Sequence, residues 1–561
     1  MGTSGNRNGY KVFSINTTVR NPQRNIEFLR YFRKFNGFVF DEKIKNLYFV
    51  ELVKNGVYTF RNLSPIIKEK LLNDIELSEI EIKELLEKNP QKTGFAGRVM
   101  TQLRALKDQN LLCFSGKETK PKIELTQLAL DLLDNRLNIA DTYSKILVGL
   151  HAKNPTRTST FNQSRPFLNF IFVMDLLRRS AKQQKKEFKG ILKHEFKVFV
   201  LGMKDCNYKD CAKQILLYRN QFGKVENKEY LQNYLFKELN LLPLKYESLN
   251  DYADEVFRKF KMSNLVIERG VFKNIYYDFS QFNYAKIETL LKKYRNYQFK
   301  TFVSQEEYNN FIYNIDLPWI NDNNIKEKVI QQKAKNLNAN LKELENLNLN
   351  DLEAELDRKF YSKILNSVVE KCEFSMLLNE LKILANLSNE KSKYDDLPEP
   401  LRLEYILVLI MAKKFGNYKM QSNLIYDENG IPLSFAPAGK IDLEFENFII
   451  EATMIRNRNQ QLNSETTSIA RHMQQKEQQE NTKLRTMLIA PLIHFDVALF
   501  FKFCAKEFKS KIAPLSIAHF IVLIERSTDL EDFKSKFDDF VKNLLNCKTQ
   551  DYIENINRYR G

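Results

Sequence analysis

Between Ile441 and Met454 the chain alternates with the period of a half-buried strand. Ile441, Leu443 and Phe445 are apolar, and Asp442, Glu444 and Glu446 between them are acidic. Glu446-Asn447 supplies turn residues, and Phe448 to Met454 reads as a second strand rich in Ile and Thr. A two-residue hairpin loop at that point sets Asp442 directly across from Glu451, and Lys440 across from Thr453. Opposed like charges on one strand face are destabilising. A bound cation relieves that cost, and hard oxygen ligands suit Mg²⁺. An exposed acidic strand face in another register gives the same alternation.

Upstream, residues 26–135 carry mostly helical periodicity. Ser64-Pro65 marks one helix start, and Ser78-x-x-Glu81 is a capping box opening a helix through Leu86. A helix from Gly97 to Asn110 puts Val99, Leu103 and Leu106 on one side, with Arg98, Gln102, Arg104 and Lys107 largely elsewhere. A strand at Leu111–Phe114 follows, then Gly116-Lys117 as a basic turn, a return strand through Ile123 and Leu125, and a helix starting near Thr126. Helix, strand, basic turn, strand, helix is the order of a winged helix-turn-helix, which lays one helix in the major groove and its wing along the phosphates. A generic α+β packing module has the same order.

A second region, about 141–300, repeats the theme. It opens on a basic helix with Arg178, Arg179, Lys182, Lys185, Lys186 and Lys189, and Leu265–Ile267 and Ile275–Tyr277 flank Arg269-Gly270 like another wing. Residues 320–360 are Asn-rich, leucine-spaced and free of Gly, which suggests a helical connector with Leu341, Leu344 and Leu352 turned toward a neighbour. The breaker cluster Tyr394 to Pro400 sets the main domain boundary between 340 and 395. Beyond it Leu401–Lys413 is apolar enough to be a buried helix, with Glu404 in its first turns. After the hairpin come a helix from about Leu462 to Glu480, a strand Thr486–Ala490, a helix around Ala498–Lys506, and a strand or helix near Leu515–Ile524. The expected architecture is therefore multidomain α+β. It comprises a winged-helix DNA-recognition subdomain (1–140), a second winged-helix-like subdomain (141–320), a helical linker (321–390) and a small mixed α/β nuclease-like domain (391–561).

Composition narrows the function. The chain has 561 residues, is 43% hydrophobic and carries a net charge of +17, which fits a globular protein with a polyanionic partner, nucleic acid ahead of membrane. Abundant Lys, Asn and Ile, as in a chain from an AT-rich genome, discount part of that charge. Cys113, Cys206, Cys211, Cys372, Cys504 and Cys547 are scattered, as in a cytosolic protein with free thiols, and Cys206-x4-Cys211 lacks a following His pair for zinc. No signal-peptide core opens the chain and no apolar run reaches membrane-spanning length, so a soluble cytoplasmic protein without a membrane is expected.

G-K-I-D-L-E-F-E-N-F-I-I-E-A-T-M, followed by R-N-R-N-Q-Q-L-N-S-E-T-T-S-I-A-R-H-M, resembles the AlwI-type family of type IIS restriction endonucleases, which includes site-specific nicking relatives. The likeness is strongest over about 398–475, and the run Arg456 to His472 is its most specific part. The resemblance implies a prokaryotic enzyme with winged-helix recognition and a PD-(D/E)xK cleavage domain, which binds a short asymmetric duplex site and cuts a few bases to one side with Mg²⁺. It makes Asp442 and Glu451 metal ligands, with Glu465 and Glu404 completing a catalytic acidic cluster. Ile441 stands where the general motif has Pro, and Thr453 where it has lysine; Lys440 and His472 are accessory candidates with Thr453. The DNA-contacting candidates are Arg98, Gln102, Arg104, Lys117, Arg178, Arg179, Lys182, Arg456 and Arg458. An acid such as Glu465 or Glu404 early in a helix is also favoured by the helix dipole alone.

Three functions follow as expectations. One is an endonuclease that breaks both strands after two cleavage domains pair, as a homodimer or heterodimer. The second is a nicking enzyme or the large subunit of a heterodimer. The third is a catalytically silent DNA-binding regulator.

Overall fold

A computed structural model describes residues 10–15, 21–55, 57, 64–73, 75–87, 94–157, 161–239, 241, 245–270, 275–344, 346–416, 420–434 and 440–558. The fold mixes helix and sheet. It divides into two compact units that do not follow chain order: residues 1–41 group with 100–356, and residues 42–99 group with 357–561. Whereas local pattern put residues 42–99 in a segment 1–140, they pack with the C-terminal half of the chain.

The helix Gly94–Lys107, whose residues from Met100 on belong to the unit of residues 1–41 and 100–356, buries Val99, Leu103 and Leu106 and leads into a hairpin. That hairpin pairs β1 (Leu112–Lys117) with β2 (Lys120–Leu125), Lys117 opposite Lys120. The tip is therefore Glu118-Thr119 rather than Gly116-Lys117. The ladder continues through Gly116, which takes φ 79° opposite Pro121, a backbone conformation that suits glycine. Thr126 caps the next helix, Gln127–Leu133, its hydroxyl accepting from Ala129 N at 3.3 Å. The basic helix spans Pro166–Gln183. Its first three turns are buried, and the charged residues gather on its exposed C-terminal end. β3 (Ile191–Leu192), β5 (Tyr276–Phe279) and β4 (Val266–Arg269) form one antiparallel sheet in that order. The connector is helical: Asn323–Leu337 packs on the start of Leu349–Lys371 through Ile330, Ala334 and Leu356, with Leu341 and Leu352 against them. The side chain of Leu344 lies outside the described residues.

The unit of residues 42–99 and 357–561 is built on a five-stranded sheet whose strands lie in the order β12 (Lys511–Ser516), β11 (Arg485–Ala490), β10 (Phe448–Ala452), β9 (Leu443–Phe445) and β6 (Met420–Ser422). β6, β9 and β10 are antiparallel neighbours. β11 and β12 add on in parallel. A small hairpin of β7 (Ile425–Tyr426) and β8 (Pro432–Ser434) precedes β9. The helix Glu399–Phe415 is buried from Leu401 to Ala412, as its apolar run requires. Ser78 and Glu81 make the capping box in both directions, at 2.8 and 3.3 Å.

Two boundaries differ from the sequence pattern. The helix after the hairpin begins at Arg458, not Leu462, because Asn457 caps it by accepting from Gln460 N at 3.0 Å. It runs as Arg458–Gln461, widens into a π-turn at Leu462–Thr466 and resumes as Thr467–Glu480. The apolar stretch near Leu515 splits between β12 and the helix Ile517–Arg526, with Ser516 as the cap between them. Among the described residues no helix is long and apolar enough to cross a membrane.

Candidate active site

The hairpin register is the one the alternation predicted. Phe445 faces Phe448 and Leu443 faces Ile450, so the next pair outward is Asp442 and Glu451. The ladder itself ends at Leu443. Beyond it the Asp442 carboxylate bonds the strand directly, Oδ2 accepting from Ala452 N at 2.9 Å. β10 is a central strand, covered on both sides, and it carries Glu451 down to 6% exposure. Strand geometry thus forces two acids into one half-dry place.

Their electrostatics follow. Burial pushes the Asp442 carboxyl well above the usual carboxylate range, and the neighbouring charges of Glu451 and Glu465 add to the rise; the Ala452 N–H opposes it. Burial likewise pushes Glu451 up to about 8, with Glu465 and Glu444 raising it further. A proton shared between the two carboxyl groups is the cheapest way to hold them together without a cation. His472, on the helix Thr467–Glu480, brings Nδ1 to 2.7 Å from Glu451 Oε1, and both side chains are buried. One turn on, Lys476 Nζ lies 2.7 Å from Glu444 Oε2. This helix therefore covers the acidic strand face with one ring and one ammonium.

Glu465 is part of the group through its charge, from within the π-turn and half-buried. Since the helix starts at Arg458, Glu465 is two turns in, and the dipole of a first turn does not account for it. π-turns inserted in α-helices recur at functional sites. Glu404 is buried on the helix Glu399–Phe415, and its charge acts on Tyr426. Thr453 is buried, its N–H donating to Ile489 O at 2.9 Å and its hydroxyl accepting from Ile455 N at 3.2 Å. Lys440 is exposed in the bend before β9, outside the ladder. Among the described residues no three His, Cys, Asp or Glu side chains stand in a ready-made metal cluster.

The polar run after the hairpin is largely architectural. Asn457 is fully buried and donates to Leu71 O at 2.7 Å; Gln461, also fully buried, donates to Ile455 O at 3.1 Å and Leu492 O at 2.9 Å. Arg458 forks onto Asp496 at 2.6 and 2.8 Å. Arg456 is half-buried, with its guanidinium near Leu384 O and its own carbonyl 2.8 Å from His494 Nε2. These side chains hold the helix start that carries Glu465 and His472.

The remaining DNA-contact candidates are dispersed. Arg104, Lys117, Arg179 and Lys182 are exposed, with Arg179 bound to Asp175 at 2.9 Å. Arg98 is half-buried. Gln102 is 4% exposed, because helical spacing puts it on the same face as Val99, Leu103 and Leu106. Arg178 lies over the Tyr284 ring, 4.2 Å from its centroid.

The AlwI restriction endonuclease family matches residues 112–523, most of the chain and all of the acidic hairpin. The chain belongs to that family. Its membership makes it a restriction endonuclease. A comparison with curated proteins finds no match. Among solved structures, the small subunit of the heterodimeric restriction endonuclease R.BspD6I is 17% identical, over 32% of this chain and 93% of its own, with a TM-score of 0.26. The restriction endonuclease FokI is 12% identical over 93% of this chain and 98% of its own, and FokI bound to DNA is 11% identical over 95% and 99%, both with TM-scores of 0.23.

Proposed function

We propose that this AlwI-family protein is a type IIS-like endonuclease that binds a short asymmetric duplex site and hydrolyses phosphodiester bonds to one side of it with Mg²⁺. The cleavage centre is the Asp442–Glu451 pair of a PD-(D/E)xK-type domain, and recognition lies in winged-helix-type modules of the N-terminal half. The single observation that carries this reading is the placing of the half-buried Asp442 beside the buried Glu451 at the end of the β9–β10 hairpin, the first held by the Ala452 N–H and the second by His472.

The donor set fits Mg²⁺. Two carboxylates that cannot both ionise comfortably beside a third acid, Glu465, form an oxygen-rich place where a divalent cation offsets the repulsion. Asp442 and Glu451 would hold the ion, with Glu465 next to them. When bound, Mg²⁺ supplies Lewis-acid stabilisation of phosphoryl charge and a more acidic water. The chain's own residues do the rest. The Ala452 N–H aims the Asp442 carboxylate, and His472 fixes the Glu451 carboxylate through Oε1. Glu465 draws protons toward the site, and Thr453 closes the turn that ends the strand in place of a lysine. Lys476 neutralises Glu444, so the negative charge of this face concentrates at Asp442 and Glu451.

A nicking enzyme, or the large subunit of a heterodimer, is the second reading, in which the Asp442–Glu451 pair cuts one strand. Incubating supercoiled plasmid with the protein and Mg²⁺ separates the readings. Linear product supports double-strand cleavage, open circle supports nicking, and an unchanged supercoil removes both.

A further inference from the structure

The segment from Arg295 to Ser304 stands out in the unit of residues 100–356. It has almost no regular secondary structure, yet it is pinned along its length. Tyr297 OH donates to Asn169 Oδ1, and the Gln298 carbonyl accepts from Arg165 Nη1 at 3.4 Å. Phe299 and Phe302 pack edge-on against the buried ring of His151, at 5.2 and 5.0 Å, and Tyr308 and Phe311 close the cage. At the far end Val303 N donates to Glu307 Oε2 at 2.8 Å, and Ser304 caps the following helix.

Between these anchors the outward positions alternate with the rings. Arg295, Asn296, Gln298, Lys300 and Thr301 are exposed, and Val303 is 95% exposed; Lys300 Nζ lies 5.2 and 5.5 Å from the Phe302 and Phe311 ring centroids and 3.6 Å from Glu307 Oε1. Among the described residues the side chains of Asn296, Gln298 and Thr301 make no hydrogen bond. This cage-anchored strip holds two solvent-facing amides, a lysine and a bare isopropyl group along one short stretch of chain. It is what a preorganised binding element needs, because ordering costs are met before the ligand arrives. The helix after it places the strip beside the basic hairpin: Gln305 Nε2 donates to Leu112 O at 3.0 Å and Gln305 Oε1 accepts from Phe114 N at 3.4 Å. Lys117, Lys120 and Lys122 extend along that hairpin, with Lys122 paired to Glu124 at 2.7 Å.

We infer that Arg295–Ser304 is a preformed reading loop for duplex DNA. Asn296 and Gln298 meet adenine edges in the major groove, Val303 meets a thymine methyl, and Lys300 meets a backbone phosphate. The chemistry is matched: side-chain amides bond adenine N6 and N7 in pairs, and aliphatic groups pack on the thymine methyl. The inference rests on the endonuclease reading and adds to it the residues that choose the sequence.

The test is selection of bound duplexes from a pool with a randomised central segment, using the full-length chain without divalent cation. The wild type is compared with Asn296→Ala/Gln298→Ala, Val303→Ser and Lys300→Ala. All four positions are exposed, and thermal melts confirm that each variant folds. The double variant is expected to lose discrimination at one or two A·T positions of the wild-type consensus by about tenfold, leaving the other positions intact. Val303→Ser relaxes one T·A position. Lys300→Ala keeps the consensus but binds more weakly, with a log K against log salt slope shallower by about one. If the double variant and Val303→Ser return the wild-type consensus at unchanged strength, the loop does not read DNA, while the endonuclease reading stands. If the wild type enriches no sequence, site-specific recognition falls, and the loop's role with it.

Discussion

Glu451→Gln is expected to stabilise the metal-free protein at alkaline pH while abolishing cleavage. Glu451 is 6% exposed and its carboxyl is pushed up to about 8 from a reference of 4.5. A group whose folded pKa is raised holds its proton more tightly in the folded state. Its contribution is therefore complete below the reference pKa and is lost as pH rises through the window between 4.5 and about 8. Each unit of pKa difference corresponds to about 1.4 kcal/mol, so between pH 5 and pH 8 the wild type loses on the order of 3 kcal/mol through this one group. Gln keeps the shape and an oxygen acceptor for His472 and has no such dependence. Urea unfolding in EDTA at the two pH values measures the difference. Far-UV circular dichroism is the right signal, because the only tryptophan, Trp319, belongs to the other unit. A variant whose stability falls between pH 5 and pH 8 as steeply as the wild type refutes the electrostatic description of the pair.

Further outcomes follow from the same geometry. Mg²⁺ is expected to raise the thermal midpoint of the wild type and not that of Asp442→Asn, since the ligand binds only where both carboxylates remain. Breaking the Arg458–Asp496 fork, whose side chains are 40% and 30% exposed, should cost only about 0.5–1 kcal/mol, and a double-mutant cycle by urea unfolding reads the coupling directly. His151, fully buried in its ring cage, has its pKa pushed down to about 3 by burial and by the Arg165 charge. That stability is complete above pH 6.5 and lost as pH falls toward 3. Trp319 fluorescence should therefore show the wild-type unfolding midpoint falling through this range, with a shallower fall in His151→Phe.

The parts legible in the sequence were those fixed by local period. Alternation at Ile441–Phe445 and a polar two-residue turn specify the β9–β10 register, since a one-residue slip would turn Leu443 and Phe445 out of the core. The Ser78–Glu81 box and the Thr126 cap are likewise local chemistry. What escaped depends on distant packing or on residues that serve two purposes. The Arg456–Gln461 run looks like an exposed polar loop, yet Asn457 and Gln461 are buried and tie the chain to Leu71 and Leu492. β12 contains Pro514 and runs without a break into an apolar helix, so its strand period is hidden. The pairing of His472 with Glu451 depends on how a helix lies across a sheet, which no spacing within 451–472 encodes. The grouping of residues 42–99 with the C-terminal unit is set wholly by long-range contact.

The central claim is that Asp442 and Glu451 form the centre at which DNA is cut. Supercoiled plasmid incubated with Mg²⁺ and either wild-type protein or Asp442→Ala, with duplex binding measured alongside, tests it most directly. The account predicts nicked or linear product from the wild type, and from Asp442→Ala an unchanged supercoil with DNA binding intact. Cleavage by Asp442→Ala at the wild-type rate would contradict it.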